Sequence, residues 1–140
     1  MQENIVKGVA FTSPRQEQRG SQLVEYVIDP GSKLVSVKFG KKLAFDDIGR
    51  YAKLLLSNPQ FRPGYSEIVD LTEVEELDLD ADKFLKLADK VDPFSPEAKR
   101  AFVVRTVLQS HAARLHKILR SQRNIEIFHT VEEAERWIET

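Results

Sequence analysis

Apolar and polar positions alternate along the early part of the chain. Val35, Val37 and Phe39 fall on one side of a run from Lys33 to Phe39, and Ser36 and Lys38 on the other. That period of two marks a strand with one face toward a core. Leu23 to Ile28 reads as a preceding strand, and Asp29-Pro30-Gly31-Ser32 between them is turn chemistry: proline presets φ and glycine tolerates positive φ. So short a connection makes the pair a hairpin. The period then changes. Phe45, Ile48, Ala52 and Leu55 recur at helical spacing and predict a helix from Phe45 to Leu56. Asp46 and Asp47 suit its positive end. Gly49 inside it costs roughly 1 kcal/mol relative to alanine, and Ser57-Asn58-Pro59 ends it.

Strand and helix patterns then alternate. Ser66 to Leu71 is a third strand. Asp80 is the expected N-cap of a helix from Ala81 to Val91, with Phe84, Leu87, Ala88 and Val91 inward. Asp92-Pro93 stops it. Arg100 to Arg105 is a fourth strand, and Thr106 caps a helix from Val107 to Ser121 with Leu108, Ala112, Leu115 and Leu119 inward. Asn124 to Phe128 is a fifth strand. Thr130-Val-Glu-Glu133 has the form of a capping box before a last helix that runs to about Glu139 and buries Val131, Ala134, Trp137 and Ile138.

This order, β-β-α-β-α-β-α-β-α, predicts an α/β fold: an N-terminal hairpin, then right-handed βα units, giving a five-stranded, mostly parallel sheet with about four helices. Each strand carries a polar residue on one face (Glu25, Ser36 or Lys38, Glu67 or Asp70, Arg105, Glu126). One sheet face is therefore expected to be well covered and the other only partly. Residues 1–20 read as a polar lead-in to a domain over 21–140. Within it, Ile5 to Phe11 is apolar enough to lie as a short strand on a neighbour.

Composition narrows the function classes. The chain has 140 residues, enough for one domain with a core of its own. Its 21 basic and 22 acidic residues leave a net charge of −1, which gives no global attraction to nucleic acid. Cysteine is absent, which excludes disulfides and thiolate chemistry. No apolar run is long enough to span a bilayer, and the first residues lack a signal-peptide pattern. A cytoplasmic location is the expectation.

The element order, together with Ile68-Val-Asp-Leu-Thr-Glu-Val-Glu-Glu-Leu-Asp78, resembles the STAS domains of anti-sigma-factor antagonists. In that pattern an apolar strand leads to Asp or Asn, Leu and a small polar residue, and later to Asp-Ser-Ser-Gly opening a helix. Asp70, Leu71, Val74 and Asp78 match it without a gap. The likeness runs from Leu23 to Thr140. Where the antagonists carry a phosphorylated serine, this chain has Leu79, followed by Asp80 and Ala81. The chain looks closer to small stand-alone bacterial STAS-like proteins, some of them grouped with lipid-binding SEC14-type domains. The resemblance implies a module that binds a protein partner through the loop before the second helix, without the phosphoserine switch.

The loop itself holds six carboxylates: Asp70, Glu73, Glu75, Glu76, Asp78 and Asp80. Hard cations favour such oxygens, but the glycine and terminal glutamate of a calcium loop are missing. A solvated, helix-capping loop is the simpler reading. His111 and His116 diverge by roughly 140° on a helix and cannot share a metal; His111 lies near the expected inner stripe. Arg114, Lys117, Arg120 and Arg123 form a basic strip suited to an anionic partner or to solvent. No Ser-His-Asp set, phosphate loop or dinucleotide fingerprint is present. The chain is therefore read as a non-enzyme without metal or cofactor. Ligands of parallel sheets favour the carboxyl ends of the strands, here Gly40, Lys41, Thr72, Glu73, Asp78, Arg105, Thr106, His129 and Thr130. Thr72, Glu73, Asp78, Leu79 and Asp80 are the expected partner-binding residues. Arg105, Thr106 and His129 are candidates for a small apolar or lipid ligand in a SEC14-like alternative. A partly uncovered sheet face or the edge strand Leu23 to Ile28 is the expected place for a homodimer to pair.

Overall fold

In the computed structural model, which describes residues 6–10, 24–78, 92–120 and 124–140, the predicted hairpin joins β2 (Val24–Asp29) to β3 (Leu34–Phe39). Asp29 accepts from the Ser32 amide and hydroxyl and organises the turn. The residue in the left-handed region is Lys33, with φ of 54°, and not Gly31. β1 (Val6–Ala10) lies antiparallel along β2, where the apolar stretch of the lead-in was expected to find a neighbour, so the strand expected at the sheet edge, Leu23 to Ile28, is internal and β1 is the edge.

Beyond the hairpin the pairing is parallel. β3 pairs with β5 (Ser66–Asp70), β5 with β7 (Arg100–Val103) and β7 with β8 (Ile125–Phe128). The sheet order is β1-β2-β3-β5-β7-β8, so each crossover steps one place in the same direction. The five expected strands are present, and β1 adds a sixth. A second, two-stranded parallel sheet was not expected: β4 (Lys42–Ala44) pairs with β6 (Glu76–Asp78). Strands of three residues are too short to show a period.

Helix α1 (Phe45–Leu56) begins where Asp47 accepts from the Ala44 amide at 2.9 Å. α2 spans Val107–Arg120 and α3 spans Val131–Glu139. The helix expected over 81–91 lies outside the described residues. The larger core packs Tyr51 and Leu55 of α1 and Ala112 and Ala113 of α2 against Val35, Val37, Val69 and Phe102 of the sheet. On the opposite face α3 sets Ala134, Val131, Trp137 and Ile138 against Ile68, Ala101 and Val103. Toward the hairpin that face carries exposed Glu25 and half-buried Ser36 and Lys38. The two faces are unequally covered, as the alternation predicts. Ala134 is the fully buried residue of α3, while Trp137 is half-buried beside Phe128.

Three expectations about burial are corrected. Of the stripe expected inward on α2, Ala112 is buried but Leu108 is 43% exposed, and Gln109, Ala113 and His116 are buried with Ala112 instead. His111 is exposed, and His116 is the buried histidine, packed 5.1 Å from the Phe102 ring. Glu67 does not mark the open face. It is 1% exposed and faces α1.

Glu67 sits in a buried charged cluster. Its carboxylate accepts from Arg100 Nε at 2.8 Å and from the Tyr51 hydroxyl at 2.6 Å. Arg100 Nη1 donates to Asp92 at 3.0 Å, and the guanidinium lies 4.8 Å from the Phe94 ring centre. Burial would lower the Arg100 pKa, but Glu67 and Asp92 outweigh it and raise it. Burial, then Glu67, pushes the Tyr51 phenol well above its usual range.

Removing one member leaves an uncompensated buried charge. Arg100→Met is expected to lose about 3–5 kcal/mol in denaturant unfolding, and adding Glu67→Leu should recover part of that loss. A single variant as stable as the parent would remove the cluster's structural role. Tyr51 also sets a pH dependence. A phenol whose folded pKa is raised contributes stability that is full below about 10, its unfolded value, and is lost as pH rises further. Unfolding between roughly pH 9 and 11 should show a falling slope that Tyr51→Phe flattens.

Candidate functional site

The four parallel strands end on one edge, at Phe39, Asp70, Val103 and Phe128. The chain following β5 turns at once. Asp70 accepts from the Thr72 amide at 2.8 Å and its hydroxyl at 2.6 Å, a local turn of the kind aspartate favours. The Thr72 carbonyl then accepts from Arg105 Nη2 at 2.8 Å and Nε at 3.2 Å. Thr72 and Arg105, read separately from sequence, therefore meet.

Gln109 ties the same loop down from α2. It is fully buried, and its side-chain amide donates to the Val74 carbonyl at 2.9 Å. Its oxygen accepts from the Arg105 amide at 2.6 Å and the Thr106 amide at 3.1 Å. Three backbone groups at the start of α2 and in the loop are thus satisfied by one side chain. Thr106 caps the helix, its hydroxyl accepting from the Gln109 amide at 3.2 Å. The Lys41 carbonyl accepts from the Glu75 and Glu76 amides at 2.7 and 2.9 Å, fixing the far end of the loop.

The acidic side chains point the other way. Glu73, Glu75, Glu76 and Asp78 are exposed. Glu73 lies 2.9 Å from Lys38 in a surface pair that raises the lysine's pKa; such pairs add little stability. Asp78 ends β6 opposite Ala44. Leu79 and Asp80 lie outside the described residues. Among the described residues no group of three or more metal-capable side chains converges.

At the other end of the edge, His129 Nδ1 lies 3.4 Å from the Val104 carbonyl. Thr130 caps α3, accepting from the Glu133 amide at 3.1 Å. Glu133 completes the cap one residue earlier than predicted, accepting from the His129 amide at 3.3 Å. Of the basic strip, Arg114 is exposed, Lys117 lies 3.7 Å from Glu126, and Arg123 is outside the described residues. Sequence reading missed Gln109. Its signal is the Thr106-Val-Leu-Gln109 spacing of a capping box, in which the Gln109 side chain reaches back to the Thr106 amide.

The sheet order and edge loops define the class of fold. No family model matches this chain, and no curated protein matches it. Among solved structures it is similar to an uncharacterized protein of the DUF3478 family with a SpoIIAA-like fold from Shewanella loihica, with a TM-score of 0.53 and 19% identity over 99% of this chain and 98% of that one. The chain thus has the SpoIIAA-like fold, which is the STAS fold of anti-sigma-factor antagonists. Among the described residues no helix is long and apolar enough to cross a membrane.

Gln109→Ala strips partners from the Val74 carbonyl and from two amides. An expected loss of at least about 1–3 kcal/mol follows from leaving a buried group unpaired. Amide hydrogen exchange should quicken in residues 72–76. Unchanged protection there would show that the loop does not depend on Gln109.

Proposed function

We propose that this chain is a non-catalytic STAS-type binding module that recognises a protein partner through the loop after β5. Glu73, Glu75, Glu76 and Asp78 are its contact groups, within the stretch that also holds Thr72, Leu79 and Asp80. The observation that supports the reading is a division of labour in the loop. Arg105, Gln109 and Lys41 hold its backbone, while its carboxylates stand exposed. A backbone fixed beforehand loses little entropy on association. Clustered exposed carboxylates steer a basic partner. Leu79 has no hydroxyl, so the module binds without a phosphorylation switch at that position.

The SEC14-like alternative would take an apolar ligand near Arg105, Thr106 and His129. Two of those residues already serve the fold: Arg105 holds the Thr72 carbonyl and Thr106 caps α2. The test is affinity capture from the native host with the parent and a Glu73→Gln, Glu75→Gln, Glu76→Gln, Asp78→Asn bait. A partner held by the parent and lost from the folded variant is the expected result. Equal capture by both baits, or an apolar molecule in native mass spectra of the parent, would remove the reading. Stoichiometric phosphate on Thr72 that alters capture would replace constitutive binding by a switch shifted along the loop.

A further inference from the structure

Among the described residues, β8 pairs on one side only, with β7. The Arg100 amide donates to the Asn124 carbonyl at 2.8 Å, and the Val104 amide donates to the Phe128 carbonyl at 2.9 Å. Successive residues of a parallel ladder turn their backbone groups to alternate sides. Asn124, Glu126 and Phe128 therefore serve β7, and the amides and carbonyls of Ile125 and Ile127 point away from it. These four groups line a sheet edge, the template on which another strand adds. The flanking helices are centred further in. α2 stacks His116 on Phe102 of β7, and α3 packs Ala134 over Ile68, Ala101 and Val103 of β5 and β7.

Ile125 and Ile127 belong to the core under α2, so Glu126 lies on the opposite sheet face, with Phe128. Its half-exposed carboxylate is 3.7 Å from Lys117 of α2. A bridge from one sheet face to a helix on the other passes around the edge of β8. An identical strand matches that edge. Laid antiparallel, with Ile125 opposite Ile127 of the second copy, all four groups on each side exchange hydrogen bonds and the pair closes on a two-fold axis. The axis passes between the two Glu126 residues, which then stand directly opposite each other. Like charges in that position oppose pairing.

We infer that the outer edge of β8 is an interaction surface for a second copy of this chain, and that Glu126 keeps it closed. One side chain at the centre of the matching register decides whether the two edges pair. The inference is independent of the acidic-loop reading.

Sedimentation of the full chain over a concentration series tests it. The contact is short and its dimer weak, so the series runs to high protein concentration. Glu126→Thr removes the charge, keeps a strand-forming side chain, and should dimerise roughly tenfold or more tightly than the parent. Glu126→Lys again sets like charges opposite and should associate no better than the parent. An equimolar mixture of Glu126→Lys with the parent should form a dimer holding one of each. The chain has no cysteine, so Glu126→Cys reports the register. Its two thiols would sit on residues about 4.5 Å apart at Cα, within disulfide reach, and should oxidise to a covalent dimer; Lys53→Cys, exposed on α1, should not. All variants should unfold at the parent's denaturant midpoint. Should Glu126→Lys fail to fold, Glu126→Thr and the cysteine pair decide alone. The inference is overturned if Glu126→Thr associates no more tightly than the parent, if the mixture behaves as its separate components, or if both cysteine variants cross-link alike. Growth of Glu126→Thr past a dimer would overturn it too, since an isologous edge pair closes on itself.

Discussion

The Glu67–Arg100 pair is the constraint on which the arrangement of this sheet depends. The two residues are direct neighbours in the pairing of β5 with β7, and both are nearly inaccessible. A carboxylate so buried is tolerable only with its partners in place. A slip of one residue between these strands would carry one charge to the opposite sheet face and strand the other. The pair therefore fixes register at the amino ends of β5 and β7. Register fixed there is also fixed at the carboxyl ends, where Asp70 lies opposite Val103. Two residues further out are Thr72 and Arg105, so the contact of the Arg105 guanidinium with the Thr72 carbonyl inherits its alignment from the buried pair. Tyr51 and Asp92 extend the same lock to α1 and to the segment entering β7.

The turn of α2 shows two effects in competition. Burying a leucine such as Leu108 is worth about 1.5–3 kcal/mol. Leaving buried backbone groups unpaired costs roughly 1–3 kcal/mol each. Gln109 satisfies one buried carbonyl and two part-buried amides at once, and no apolar side chain at that place could do so. The hydrogen-bonding term is the larger, and the helix faces accordingly. His116 follows Gln109 and Ala112 inward because it lies on the same stripe.

This explains which parts were legible in the sequence. Strands, hairpin and helix ends were, because turn chemistry, caps and periodicity act over a few residues: Phe45–Leu56 and Thr130 stand as read. The ion pair was not, because its members are 33 residues apart and Glu67 alternates like any outward polar residue. The capping box of Thr106 and Gln109 was open to reading, but the contact of Gln109 with the loop was not, since the carbonyl it serves belongs to Val74, 35 residues earlier. The β4–β6 pair left no trace in a pattern of three residues. The loop that carries the candidate site was visible as an acidic run, but its shape was not, because that shape is imposed by Arg105, just after β7, and by Gln109 on α2.

That imposition separates structure from recognition within one short loop. Its turn is made by Asp70, and its backbone is held by Arg105, Gln109 and the Lys41 carbonyl. None of those bonds uses the side chains of Glu73, Glu75, Glu76 or Asp78. A loop whose conformation were set by its own carboxylates would unfold when they were neutralised, and binding and folding would fail together. Here the carboxylates stand on a scaffold that other residues keep in place, so removing their charge leaves those bonds intact.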